Sequence, residues 1–191
     1  MKRTVTVLII AAGIVSIFFS SFGRNTELSD LDSVCGVTID KEKEKWLITC
    51  EITLPSKDDP YGSKNKYVKA EALTLKKAFD NAQNKSDKEL NMSSVGIFII
   101  ANELKDNAEL INYFMRDEVN MRAVCVYCEG KAEKFFEEKD AGAGSIFLAQ
   151  RIKRFCFNEK TPVPKVSALL KNRSGVILTK NGIPERSGTF D

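Results

Sequence analysis

Cys125-Val126-Tyr127-Cys128 is the one C-x-x-C spacing in the chain. That spacing can build a redox dithiol or half of a zinc site. Zinc needs two further ligands, and the sequence holds no His and no second C-x-x-C. The surrounding residues, Arg122 to Glu129, read as a strand, in which positions three apart point to opposite faces. Buried apolar thiols are therefore the preferred reading. Cys35, Cys50 and Cys156 also sit in apolar patterns; a Cys35–Cys50 disulfide across a hairpin is the rival arrangement for an exported domain. Asp58-Asp59 with Asp40 lacks the spacing of a calcium loop and reads as solvated. Glu133, Glu137 and Glu138 fall on a helix surface. Gly142-Ala143-Gly144-Ser145 precedes a helix and can offer its N–H groups to an anion, but without a Gly-Lys-Ser/Thr ending it reads as a flexible cap. The lack of His excludes Ser-His-Asp and Cys-His nucleophile systems and a haem held by a proximal His. The expectation is a non-catalytic domain with no metal and no cofactor.

The elements that would position these residues follow from periodicity. Val34–Ile39 is a short apolar strand, and Lys41-Glu42-Lys43-Glu44-Lys45 a charged turn. Trp46, Ile48, Cys50, Ile52 and Leu54 then alternate with more polar neighbours, giving a half-buried second strand. Residues 55–62 are a loop, and Tyr67–Ala72 a third strand. Thr74 is a helix N-cap, with Leu75, Ala78, Phe79 and Ala82 on one face. Val95–Ile100 and Arg122–Glu129 are strands covered on both faces. Asp106 is a candidate cap for a helix carrying Leu110, Ile111, Phe114 and Met115. Lys131–Glu138 and Ile146–Phe157 are helices, the second with Ile146, Ala149, Ile152 and Cys156 inward. Val166–Leu170 supplies a turn or two. Val176–Leu178 with Asn181-Gly182 opens a hairpin whose return Pro184 weakens. The fold class is α/β: a mixed sheet flanked by helices.

Ahead of this domain, Lys2 and Arg3 precede 19 uncharged residues, Thr4 to Phe22. As a helix these span about 28 Å, close to the hydrocarbon thickness of a bilayer. Their eleven large apolar side chains favour insertion by about 3–7 kcal/mol. The run is expected to be a signal anchor that leaves the bulk of the chain extracytoplasmic, with a cleaved signal peptide as the alternative. Setting Lys2 and Arg3 aside lowers the formal charge from +3 to +1, so nucleic acid is not an expected partner.

Three stretches carry a family resemblance. Glu27-Leu28-Ser29-Asp30-Leu31 is followed by Gly36-Val37-Thr38-Ile39-Asp40; Val95 to Leu104 ends in Ala101-Asn102-Glu103-Leu104; Arg116-Asp117-Glu118-Val119-Asn120-Met121-Arg122 leads through an apolar strand to Gly130-Lys131-Ala132. In order and spacing these resemble the amino-terminal domain of the Ger(x)C spore germination proteins, the C subunits of germinant receptors. The resemblance implies a membrane-attached receptor subunit at the spore inner membrane, beside the A and B subunits, working through protein contacts. It divides the chain into a leader (1–23), the family domain (24–172) and a tail (173–191) that would start a second domain. Family members usually carry a lipid-modified Cys; the corresponding position here is Phe22, so attachment would fall to the apolar helix.

Each stretch also has a local reading. Gly36 inside a strand suggests a bulge or a close backbone approach. Asp40, ending that strand, can form an Asx turn. Arg116, Asp117 and Arg122 either meet a partner or staple a helix-to-strand junction by local ion pairs. Asp30 and Leu31 are further partner-contact candidates. The alternative for the whole chain is a stand-alone extracytoplasmic module for a small ligand or cell-wall fragment; a carboxylate-based hydrolase lacks a carboxylate pair that stands out from surface charge.

Overall fold

Alternation in the first half of the domain produces a three-stranded antiparallel meander. The computed structural model describes residues 31–55, 63–116, 119–137, 144–169 and 176–186. Strand β1 (Leu31–Glu42) turns at Lys43, whose φ is 55°, into β2 (Lys45–Pro55), and β3 (Ser63–Ala72) follows. The charged run is thus a two-residue hairpin turn. After helix α1 (Leu75–Lys85) and the short β4 (Glu89–Asn91), β5 (Ile97–Ala101) pairs parallel to β1. Helix α2 (Ala108–Arg116) leads to β6 (Val124–Cys128), parallel to β5. Then come α3 (Lys134–Glu137), α4 (Gly144–Asn158) and α5 (Val166–Leu169), and finally β7 (Val176–Leu178) and β8 (Pro184–Arg186). The mixed eight-stranded sheet runs β3-β2-β1-β5-β6-β7-β8, with β4 on β1.

Asp32–Asp191 forms one compact unit. Of the other unit, Met1–Leu31, only Leu31 lies among the described residues. The apolar run from 4 to 22 is outside them, as are Asp58-Asp59, Asp30 and Asp117. Among the described residues no helix is long and apolar enough to cross a membrane. Residues 176–186 of the stretch read as a tail supply the last two strands of this same sheet. Pro184 begins β8, at the sheet edge, where its missing N–H is tolerated.

Two cores follow from strand alternation. On one face Phe98, Ile100, Cys125 and Tyr127 pack with Leu75, Phe79, Leu110 and Phe114 of α1 and α2. Phe79 stacks on Tyr113 at 4.7 Å, and Phe98 meets Phe114 edge-on at 5.1 Å. On the other face Ile97, Ile99, Val124, Val126 and Cys128 pack with Phe136, Leu148, Ala149, Ile152 and Cys156 of α3 and α4. Both faces are covered, which is why β5 and β6 read as unbroken apolar runs.

Two inward assignments and one cap need correction. Ile146 and Met115 are exposed, and Ser145 and Leu148 take the inner positions at the start of α4. Asp106 is not the cap of α2. It takes a positive φ of 63°, and the Asn107 side chain accepts from the N–H groups of Glu109 and Leu110. Side chains from α1 also close part of the outer edge of β3: Lys85 Nζ donates to the Lys69 carbonyl at 2.8 Å and Asn81 Nδ2 to that of Glu71 at 2.9 Å.

The β1–β2 register slips between Val34 and Gly36, so the strand bulges there. Gly36 then lies directly beneath α4, where an added Cβ would collide with Ser145 and come within 2.9 Å of Phe136 Cζ. Both sequence readings of Gly36, bulge and close approach, hold. Gly36→Ala is expected to lose about 1–3 kcal/mol through overpacking. Gly96→Ala, whose Cβ would meet only the Cys35 carbonyl at 3.4 Å, should change stability far less. Urea denaturation of the two variants side by side checks this.

Candidate functional site

Three acidic side chains are used as helix caps. Asp40, on the α3–α4 side of β1, accepts from the N–H groups of Ala132 (2.6 Å) and Glu133 (2.9 Å), which open the turn into α3. Glu51, on β2, accepts from the N–H of Ser145 in the first turn of α4 (2.7 Å) and from Asn65 Nδ2 (2.5 Å). Glu109 accepts from the N–H of Leu75, the first residue of α1 (2.7 Å), and from the indole N–H of Trp46 (2.8 Å). A carboxylate at these positions satisfies orphan N–H groups and meets the positive end of the helix dipole. Asp40 is therefore no Asx turn at a strand end; β1 runs two residues past it, and its partners are 92 and 93 residues away.

The glycine-rich approach to α4 does face an anion, but one from the protein itself. An added Cβ on Gly144 would overlap the Glu51 carboxylate, so a side chain there would evict the internal ligand. The opening left at this helix start is filled, and Glu51 is the residue that sequence reasoning missed. Its only signal was an acidic residue at a strand position whose neighbours are buried.

Burial raises the Asp40 carboxyl above its ordinary 3.8, against the lowering effect of the two N–H donors; the charges of Glu133 and Glu103 add to the rise. Burial also pushes the Cys50 thiol up to about 12, and raises Cys125 and Cys128 further. These thiols are poor nucleophiles. Cys125 and Cys128 lie in opposite cores, as strand geometry requires. All five cysteines are free; Val37, not Cys35, sits opposite Cys50, and Cys35 Sγ lies 3.0 Å from Thr53 Oγ1. Among the described residues, no three acidic, Cys or His side chains gather as metal ligands.

The stretches that carry the family resemblance meet here. Ala132 of Gly130-Lys131-Ala132 donates to Asp40 of the Gly36–Asp40 segment, and Lys131 pairs with Glu42. The partner-contact candidates lie elsewhere. Leu31, half-buried, begins β1, and Arg122 lies two residues before β6. Because β1, β5 and β6 are parallel, both fall at the edge where these strands start. Arg116 ends α2, the connection that returns the chain to that edge. The junction between α2 and β6 is held by Asn120, whose Nδ2 donates to the Val95 carbonyl (2.9 Å) and whose Oδ1 accepts from the Arg122 N–H (3.0 Å). Arg116 and Arg122 are exposed, and among the described residues neither has an ion-pair partner. A cavity of about 140 Å³ between β2, β3 and Glu133 is lined by Thr49, Lys69, Glu71 and Lys85.

Among the described residues, then, a mixed sheet is flanked by helices whose starts are capped by acidic side chains, and Cys50, Cys125 and Cys128 are buried. The family model described as the spore germination protein N-terminal domain matches residues 24–172, and the chain belongs to that family, the Ger(x)C proteins. No curated protein and no solved structure gives a significant match.

The raised Asp40 carboxyl has a signed consequence for stability. Between 3.8 and its folded value the native state holds more protons than the unfolded chain, so this group's contribution falls as pH rises through that window. Asp40→Asn is expected to cost about 1–3 kcal/mol at neutrality, since one buried N–H loses its acceptor. The same variant should also remove that part of the pH slope. Urea midpoints of both proteins from pH 3.8 to neutrality check it: the wild type should lose more stability than the variant on going up.

Proposed function

We propose that this chain is a membrane-anchored, non-catalytic subunit of a spore germinant receptor, and that it acts by protein–protein contact. The family match carries the reading: it places residues 24–172 among spore germination proteins. In this proposal residues 1–23 are the anchor, in the spore inner membrane, with the domain outside the cytoplasm. The A and B subunits are its partners; residues 173–191 lie beyond the family match, and 176–186 complete the same sheet.

The contact edge is the one where β1, β5 and β6 begin. Leu31, Arg116 and Arg122 lie there, with Asp30 and Asp117 adjoining them in sequence. The support for this choice is that the junction is stapled by Asn120, leaving two exposed guanidinium groups without an internal partner among the described residues. Exposed arginines suit planar, bidentate recognition of carboxylates. The cavity between β2, β3 and Glu133 does not by itself favour the small-ligand alternative, because its volume of about 140 Å³ is well below the roughly 300–1,000 Å³ of ligand sites.

Arg116→Glu combined with Arg122→Glu tests the assignment. Both are surface positions, so the fold should be retained to within about 0.5 kcal/mol. Co-purification of the A and B subunits with the chain from spore membranes should fall at least tenfold. Undiminished co-purification at equal protein levels would exclude this edge as the contact.

A further inference from the structure

Helix α4 has a face that the fold does not use. Leu148, Ala149, Ile152 and Cys156 fill the core beneath it. With 3.6 residues per turn, Phe147, Gln150, Arg154 and Phe157 then form the outermost ridge. Ile146 and Lys153 flank the ridge on one side and Arg151 on the other. Ile146 is 52 % exposed, Phe147 53 % and Phe157 83 %. Arg151, Lys153 and Arg154 are all exposed, and no acidic residue occurs from Gly144 to Asn158. Glu159, the first acid beyond the helix, is held by Arg186, which bonds its carbonyl at 2.8 Å and its carboxylate at 3.3 Å. Lys160 adds a further exposed cation. None of these four cations has an ion-pair partner among the described residues. In a domain of almost neutral charge, unpaired cations and bared aromatics are thus concentrated on one convex ridge.

A convex ridge does not enclose a small molecule. Aromatic and aliphatic side chains at both ends of a helix about 22 Å long, with cations between them, match a plane that is anionic at its surface and apolar just below. We propose that the outer face of α4 lies against an anionic phospholipid leaflet. Lipid phosphates meet Arg151, Lys153 and Arg154, while the rings of Phe147 and Phe157 sit at the boundary of headgroups and acyl chains. This rests on the anchored reading above. Residues 23–30 reach at most about 28 Å when extended, so an anchor in the bilayer would hold the domain within touching distance and make a weak contact effective.

The test uses the full chain carrying Phe157→Trp, reconstituted in vesicles of phosphatidylcholine alone or with one-third phosphatidylglycerol, each with brominated acyl chains. Trp46 is wholly buried and gives a constant background. Quenching of the introduced indole in anionic vesicles, reversed by salt and absent in neutral ones, is expected. Arg151→Gln with Lys153→Gln and Arg154→Gln should weaken the contact roughly 100-fold, at about five-fold per cation. Phe147→Trp serves as a second reporter at the other end of the ridge. An incorporated chain showing no quenching at either position overturns the proposal, as does a silent lipid signal accompanied by capture of an acidic receptor fragment on this face. A chain that fails to incorporate into any vesicle refutes the anchor instead. Quenching or its absence with anionic vesicles added to that free chain then decides the proposal on its own.

Discussion

The structure depends on acidic side chains serving as helix caps across long stretches of sequence. Asp40 and Glu51 project from neighbouring strands and hold the starts of α3 and α4 over the same half of the sheet. On the opposite face Glu109 does the same for α1 while fixing the Trp46 indole. Each bond ties an orphan N–H group to an element far away in the chain, so helix placement and strand register are set together. The glycines at 36 and 144 are part of this device. One lets α4 approach the strand, and the other leaves room for the carboxylate that caps it.

Much of the frame was legible in the sequence because it rests on local periodicity. The β1–β2 hairpin, the Thr74 cap with its four buried partners, and the two-faced strands β5 and β6 all stand as read. Readings failed where a long-range partner outranked local chemistry. Asp40 resembled a turn former until the N–H groups of Ala132 and Glu133 arrived from the far side of the sheet. Ile146 looked like a core residue because it is apolar, but the capped start of α4 rotates Ser145 inward instead. Asp106 precedes its helix, yet Asn107 has the better geometry for the cap. The candidate contact residues were visible as a cluster in the sequence. That they lie at the start of the parallel strands depends on pairings no local pattern encodes.

The stretches that carry the family resemblance are largely architectural. Gly36, Asp40 and the Gly130-Lys131-Ala132 turn converge on a strand-to-helix clamp, and Glu103 lies close enough to influence Asp40. Membership in the family therefore describes the scaffold. Exposed side chains that the fold does not use lie away from this clamp: Arg116 and Arg122, within one of the resemblance stretches, near the strand-start edge, and others on the outer ridge of α4.

The occupied carbonyls along β3 bear on how copies behave when crowded. A ten-residue strand at the rim of a sheet is ordinarily a template on which an identical molecule can add its own strand, and repetition of that step yields fibrils. Here Lys85 and Asn81 have already taken the acceptors at 69 and 71, and the opposite rim is only three residues long and starts with proline. Dense packing of many such molecules can thus raise local concentration without polymerisation through the sheet.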